Sequence, residues 1–268
     1  MPDSPKNKIL LLLGMHCGGT SVLSGALQIL GADHAPDSGL AALHERFLTV
    51  AGSSWHDVAP LIAGWKDGEG SAWFRDQLKE ILQRCGSTTT LTSFADPNLC
   101  KLLPLWLPVL DELGLEPAYT IISRNPLAVA AELKTSNGLD EPTSHLLWVQ
   151  HMLAAEKNSR GSNRTFLTYD ELLDDPLSAL GKIAFDLRLN WPKPVASAEE
   201  ELRQFLDSES RDHRAKDDPA DAVSPLRDLA LRCVTVLQSG GACAGAGFEA
   251  SLDAIARSLG DGRELLKT

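Results

Sequence analysis

The first strongly patterned segment is Lys8-Ile9-Leu10-Leu11-Leu12-Leu13-Gly14, a short unbroken apolar run that stops at a glycine. Such a run predicts a strand buried on both faces, the kind a parallel sheet uses. After the turn Gly14 to Gly19, Val22, Leu23, Ala26, Leu27 and Leu30 recur at helical spacing, with Thr20 or Ser21 placed to cap the start and Gly31 the end. The segment thus predicts strand, tight loop, helix. Asp33 to Gly70 is less regular, with one amphipathic helix around Leu40 to Val50 and then a loop rich in Gly and Ser that carries Trp55. It has the pattern of an insertion lying over the sheet. A helix around Ala72 to Cys85 precedes Thr88-Thr89-Thr90-Leu91-Thr92-Ser93-Phe94, whose β-branched content suits a second strand, and Asp96-Pro97 turns the chain. Leu99 to Leu113 is helical in period and ends at Gly114, and Ala118 to Arg124 reads as a third strand.

Pro126 stands in the first turn of a helix that runs to about Lys134, and Pro142 opens a long one to about Asn158. Thr165 to Tyr169 is a fourth strand, a helix follows Pro176, and the last third is helical with polar connectors, including the charged stretch Arg211 to Asp218. This alternation predicts an α/β chain: a P-loop-type three-layer fold with a parallel sheet flanked by helices. The expected layout is one domain over residues 1–268. Its core spans roughly 8–186 and its helical C-terminal extension roughly 187–268. Ligands of such sheets sit beyond the carboxyl ends of the strands, so the residues just after Leu13, Phe94 and Ser123 are the places to look.

Composition narrows the ligand. Lys plus Arg number 25 against 36 Asp plus Glu, a formal charge of −11, so nucleic acid is not an expected partner. An anionic ligand must instead be held by a local site. The longest apolar run is far too short to span a bilayer, and the N-terminus has neither a basic n-region nor a long h-region, so the expected location is cytoplasmic. The 5 cysteines lack paired C-x-x-C spacing and read as free thiols, with no metal site expected.

Gly14-Met15-His16-Cys17-Gly18-Gly19-Thr20-Ser21 has the G-x-x-x-x-G spacing of a phosphate-binding loop. Small residues at 18 and 19 allow successive backbone N–H groups to converge on an anion at a helix N-terminus. Thr20 stands where a Walker lysine would be, which argues against a nucleotide triphosphatase.

The same residues resemble the first motif of the sulfotransferase family, in particular its bacterial glycan-type branch, which uses 3′-phosphoadenosine 5′-phosphosulfate (PAPS). There a strand leads into Gly-Met/Leu-His-Arg-Ser-Gly-Thr-Ser and a helix. Asp96-Pro97-Asn98-Leu99-Cys100-Lys101-Leu102-Leu103-Pro104-Leu105-Trp106 is similar to a second family segment. Arg124-Asn125-Pro126-Leu127-Ala128-Val129 is similar to the family's 3′-phosphate motif, and Tyr169 to Pro176 to a fourth recurrent segment. The resemblance covers the chain from Lys8 to Pro176 in order. It implies sulfuryl transfer from PAPS to a hydroxyl or amine acceptor, with 3′-phosphoadenosine 5′-phosphate (PAP) as product and no metal. The loop amides of Gly18, Gly19 and Thr20 and the hydroxyls of Thr20 and Ser21 would then hold the 5′-phosphosulfate, and Arg124 the 3′-phosphate. Arg211-Asp212-His213-Arg214 resembles a basic patch that folds over the nucleotide.

Several positions depart from that pattern. The family's loop cation falls on Cys17 and its next serine on Gly18, while His16 can supply charge when protonated. The serine eight residues after the arginine is Glu132, a carboxylate where a phosphate would sit. The cations flanking Asp-Pro are Ala95 and Asn98. The acceptor-side glutamate has no counterpart, which leaves Glu45, His44 and His56 as general-base candidates. Two alternatives stand beside the transferase: a degenerate sulfotransferase-fold binding or scaffolding domain, and a P-loop kinase of small molecules.

Overall fold

A computed structural model of the chain describes residues 8–34, 39–85, 91–213, 224–240 and 245–262. Its centre is a parallel sheet of β1 (Lys8–Leu13), β2 (Asp33–His34), β3 (Thr92–Ala95), β4 (Glu116–Ser123) and β5 (Arg164–Thr168), in the order β2-β3-β1-β4-β5. The apolar run of β1 takes the middle place, and its alternation divides the core. Leu10 and Leu12 face one layer, Ile9, Leu11 and Leu13 the other.

The first layer is α1 (Thr20–Ile29), α7 (Tyr169–Asp174), α8 (Pro176–Leu187) and α9 (Glu199–His213). The second is α2 (Leu40–Val50), α3 (Glu69–Cys85), α4 (Leu99–Glu112), α5 (Pro126–Asn137), α6 (Glu141–Asn158), α10 (Pro225–Gln238) and α11 (Ala246–Gly262). Parallel pairing of β1 with β4 sets Leu13 opposite Ile121, and pairing with β3 sets Leu12 opposite Ala95. The ends of three strands thereby come level. The connections that leave β1 and β4 run to opposite edges of the sheet, so a crevice opens between their carboxyl ends.

Helix α4 tolerates Pro104 and Pro108 for an identifiable reason. A proline has no N–H, so Pro104 cannot bond the carbonyl four residues back. That carbonyl, of Cys100, accepts instead from Asn158 Nδ2 at 2.9 Å, which ties α4 to the end of α6. Farther on, the fully buried carboxylate of Glu156 is clamped by Arg160 and by Arg164, and Arg160 continues to Asp253 at 2.7 Å. One ion network thus joins α6, β5 and α11.

Three expectations need correction. The fourth strand ends at Thr168, because its hydroxyl and Glu171 form a reciprocal capping box and Tyr169 already opens α7. Helix α3 starts at Glu69, ahead of its first apolar position. The irregular segment contributes β2, whose two residues pair with Thr92 and Ser93, and the Ser93 hydroxyl donates to the Asp33 carbonyl at 3.4 Å. Residues 88–90 of the expected second strand lie outside the described residues, as does Pro36-Asp37-Ser38. Among the described residues no helix is long and apolar enough to cross a membrane.

Candidate functional site

The loop between β1 and α1 lies at the mouth of the crevice. Gly19 takes a φ of 99°, and a Cβ there would sit 2.5 Å from Tyr169 Cδ2, so only glycine lets the aromatic ring close under the loop. Cys17 is itself left-handed at φ 59°. Its carbonyl accepts from Arg124 Nη1 at 2.9 Å. The Gly18 amide donates to Met15 O at 2.9 Å and is therefore spent on the turn. The expectation that it faces a ligand is corrected. Among the described residues the amides of Gly19 and Thr20 meet no protein acceptor. These are the unsatisfied donors of a helix start, where an anion is favoured.

Thr20 borders a cavity of about 500 Å³. His16, Cys17, Thr20 and Ser21 line one side, Ala95 and Pro97 a second, and Phe205 and Glu209 of α9 the third. Phe205 packs on Gly25, so α9 is the wall that faces the loop. Neither Phe205 nor Glu209 carried a sequence signal, because they come from a charged amphipathic helix far along the chain. Of the expected basic patch, the side chain of Arg211 and the whole of Arg214 lie outside the described residues.

His16 sits under a lid. The indole of Trp55 covers its ring at 4.1 Å between centroids, and the buried His151 meets it edge-on at 6.5 Å. The lid segment is tied down by its carbonyls: Lys101 Nζ donates to Trp55 O and Asp57 O, and Gln150 to Val58 O. His16 Nε2 is buried and unpaired among the described residues. Burial pulls the His16 pKa down to about 4; Asp96 pushes it back up and Lys101 adds to the fall. At neutral pH His16 is a neutral imidazole with an unclaimed nitrogen.

His44 is placed otherwise. It is fully buried in α2, its Nδ1 lies 2.8 Å from Asp96 Oδ1, and its Nε2 lies 3.1 Å from Trp106 Nε1. An indole nitrogen can only donate, so Nε2 is the acceptor and Nδ1 carries the proton to Asp96. Both nitrogens are engaged, which corrects the expectation of a general base at His44. Its partner Asp96 also accepts from the Asn98 amide at 2.8 Å. Burial works to raise the Asp96 pKa, yet these bonds and the His44 ring hold it below the usual carboxylate range. Glu45, one residue along, is exposed on α2 and does not line the cavity, and His56 is exposed in the lid segment.

Arg124 at the end of β4 is 5% exposed, with Trp148 holding its carbonyl. Besides the Cys17 carbonyl, its Nη1 contacts Glu132 Oε2 at 2.5 Å, and its guanidinium lies 5.1 Å from the Tyr169 ring centroid. The two residues singled out by their spacing of eight do meet, as an ion pair. Burial, together with the charge of Glu132 and a hydrogen bond to it, pushes the Cys17 thiol up to about 12, so the residue in the loop-cation position is a neutral donor. The resulting arrangement is a backbone anion cradle whose one matched arginine is already balanced by a carboxylate.

No family model and no curated protein matches the sequence. Among solved structures, a sulfotransferase domain from the curacin biosynthetic pathway is 12% identical, with a TM-score of 0.49 over 87% of this chain and 99% of that one. A sulfotransferase domain from the Synechococcus PCC 7002 olefin synthase is 16% identical, with a TM-score of 0.47 over 87% and 96%. Both likenesses concern the fold and not the site.

Proposed function

We propose that the chain binds a nucleotide 5′-phosphosulfate at the loop and transfers its sulfuryl group to a hydroxyl or amine acceptor. The observation that carries this reading is the pair of amides at Gly19 and Thr20, without a protein acceptor among the described residues, at the start of a helix whose first residue, Thr20, lines the cavity with His16. The four ordered motifs that resemble sulfotransferases support it, and PAPS is the donor they imply. In the transfer the bond from sulfur to the 5′-phosphate oxygen breaks and a bond from sulfur to the acceptor forms. The acceptor's proton passes to a base. His16 Nε2 is the group suited to take it, because it is neutral and unclaimed, and a dianion bound in the cradle raises its basicity. The cradle and the Thr20 and Ser21 hydroxyls hold the departing phosphate.

A second reading, a binding domain without catalysis, is favoured by the Arg124–Glu132 pair and the neutral Cys17, which leave the loop short of positive charge among the described residues. Thermal melts with millimolar adenosine 5′-phosphosulfate and PAPS test the first reading. Saturation at about a hundred times the dissociation constant adds about 2.7 kcal/mol, or a rise of about 5 to 10 °C. No rise with either, confirmed by calorimetry, refutes nucleotide binding. A rise without release of labelled sulfuryl groups to water or to added alcohols and amines favours the binding domain. A rise with ATP and magnesium alone favours a kinase.

A further inference from the structure

The Arg124–Glu132 pair bears on which nucleotide fits, and this inference rests on the nucleotide reading above. Arg124 stands at the carboxyl end of β4, one strand from the loop, and Glu132 reaches it from the second turn of α5. The guanidinium is buried and its Nη1 is shared between the Cys17 carbonyl and Glu132, so it is pinned to the loop and to the carboxylate at once. Glu132 keeps 28% of its side chain exposed, against 5% for the arginine, so of the two it is the one a ligand can reach. The Cys17 thiol also donates to Glu132.

Tyr169 completes the arrangement. Its ring is held between Gly19 and Arg124, and its hydroxyl is buried and unpaired among the described residues. The charges of Arg124, Glu209, Glu132 and Asp170 all reach that hydroxyl. A buried orphan hydroxyl is costly to keep unless a ligand supplies its partner.

A carboxylate paired with a guanidinium presents no net charge to a ligand. A phosphate brought to this place meets a like charge at Glu132 and finds the arginine engaged. A sugar hydroxyl meets the opposite situation, because it donates to the carboxylate and accepts from Tyr169. In dinucleotide sites the same two residue types divide the same work: an acidic side chain takes the free ribose hydroxyl and an arginine takes the phosphorylated one.

We infer that the nucleotide accepted here carries unphosphorylated ribose hydroxyls, held by Glu132 and Tyr169, so that the donor is a nucleoside 5′-phosphosulfate without a 3′-phosphate. Glu132 sets that choice, and Arg124 fixes the carboxylate and the loop relative to each other.

Isothermal titration of the full chain with adenosine 5′-monophosphate and with 3′-phosphoadenosine 5′-phosphate tests this. The monophosphate binds at least tenfold tighter, and Glu132→Gln reverses the order by strengthening the bisphosphate at least tenfold. The glutamine keeps an oxygen for Arg124; Glu132→Ser, the smaller change, gives the same reversal where it folds. If the bisphosphate binds as tightly as the monophosphate or tighter in the unsubstituted chain, the inference is overturned and nucleotide binding stands. If the monophosphate wins but Glu132→Gln leaves the ratio unchanged, the choice is not made by Glu132 and the inference again fails. If neither nucleotide binds, both this inference and the reading it rests on fall together.

Discussion

The unpaired nitrogen of His16 makes a quantitative prediction about acid. Its pKa is about 4 in the folded chain, mainly because it is buried under Trp55, against an ordinary value of 6.5. The folded value lies below the unfolded one, so the unfolded chain takes up the proton first as pH falls. The contribution to stability is intact above about pH 6.5 and is lost progressively toward about pH 4. At about pH 5 the loss is RT ln[(1 + 10^(6.5−5))/(1 + 10^(4−5))], about 2 kcal/mol. For a chain of this size that is about 4 to 8 °C in melting temperature. His151 and His145, whose pKa values burial also lowers, act with the same sign, so the parent's own pH dependence is a sum. The difference between parent and His16→Gln isolates one residue. Urea unfolding of both at about pH 7.5 and about pH 5 should show the variant losing about 2 kcal/mol less than the parent on acidification. Equal losses would refute the reasoning, since they require His16 to be hydrated or paired in solution. A free base at the loop would then no longer follow from burial.

Two further predictions concern groups the site leans on. His44→Phe fills the space but leaves the Trp106 indole N–H unpaired in the core and removes a charge-assisted bond from Asp96, so it should cost about 2 to 5 kcal/mol by chemical denaturation. The shift in melting temperature on adding a nucleotide should survive in that variant, whereas a catalytic His44 would be shown by loss of turnover without loss of stability. Glu156→Gln leaves Arg160 and Arg164 with only partly exposed partners at α11, and should cost about 2 to 4 kcal/mol; a loss under about 0.5 kcal/mol would mean the network is dispensable.

The frame of the molecule was readable where one segment decides its own fate. The apolar run of β1, the glycines after it and the periodic apolar positions of α1 need no distant partner to declare strand, loop and helix. The same holds for Pro126 and Asn125 at the start of α5, where proline and a side-chain cap coincide. Elements defined by their neighbours were not readable. β2 has two residues and exists because Thr92 and Ser93 lie alongside it. Helix α7 carried its own signal, Thr168-x-x-Glu171, yet the β-branched residues in front of it extended the strand one residue too far.

Residue types at the site were legible, and their states were not. The sequence offers His16 as a source of charge and His44 as a base, because a histidine in a string of letters has two unassigned nitrogens. What separates them is a tryptophan sixty-two positions from His44 that takes its Nε2, and one in an irregular segment that covers His16 with an apolar face. Glu132 is the sharper case. Its spacing from Arg124 marked it as a carboxylate out of place, and a lone carboxylate near a phosphate site reads as repulsion. Paired with Arg124 beside the Cys17 thiol, the same group becomes a neutral assembly with a partly exposed carboxylate. Repulsion of one ligand is then selection of another, and that conversion depends on Glu132 meeting Arg124, a contact the spacing of eight marks without saying whether it forms.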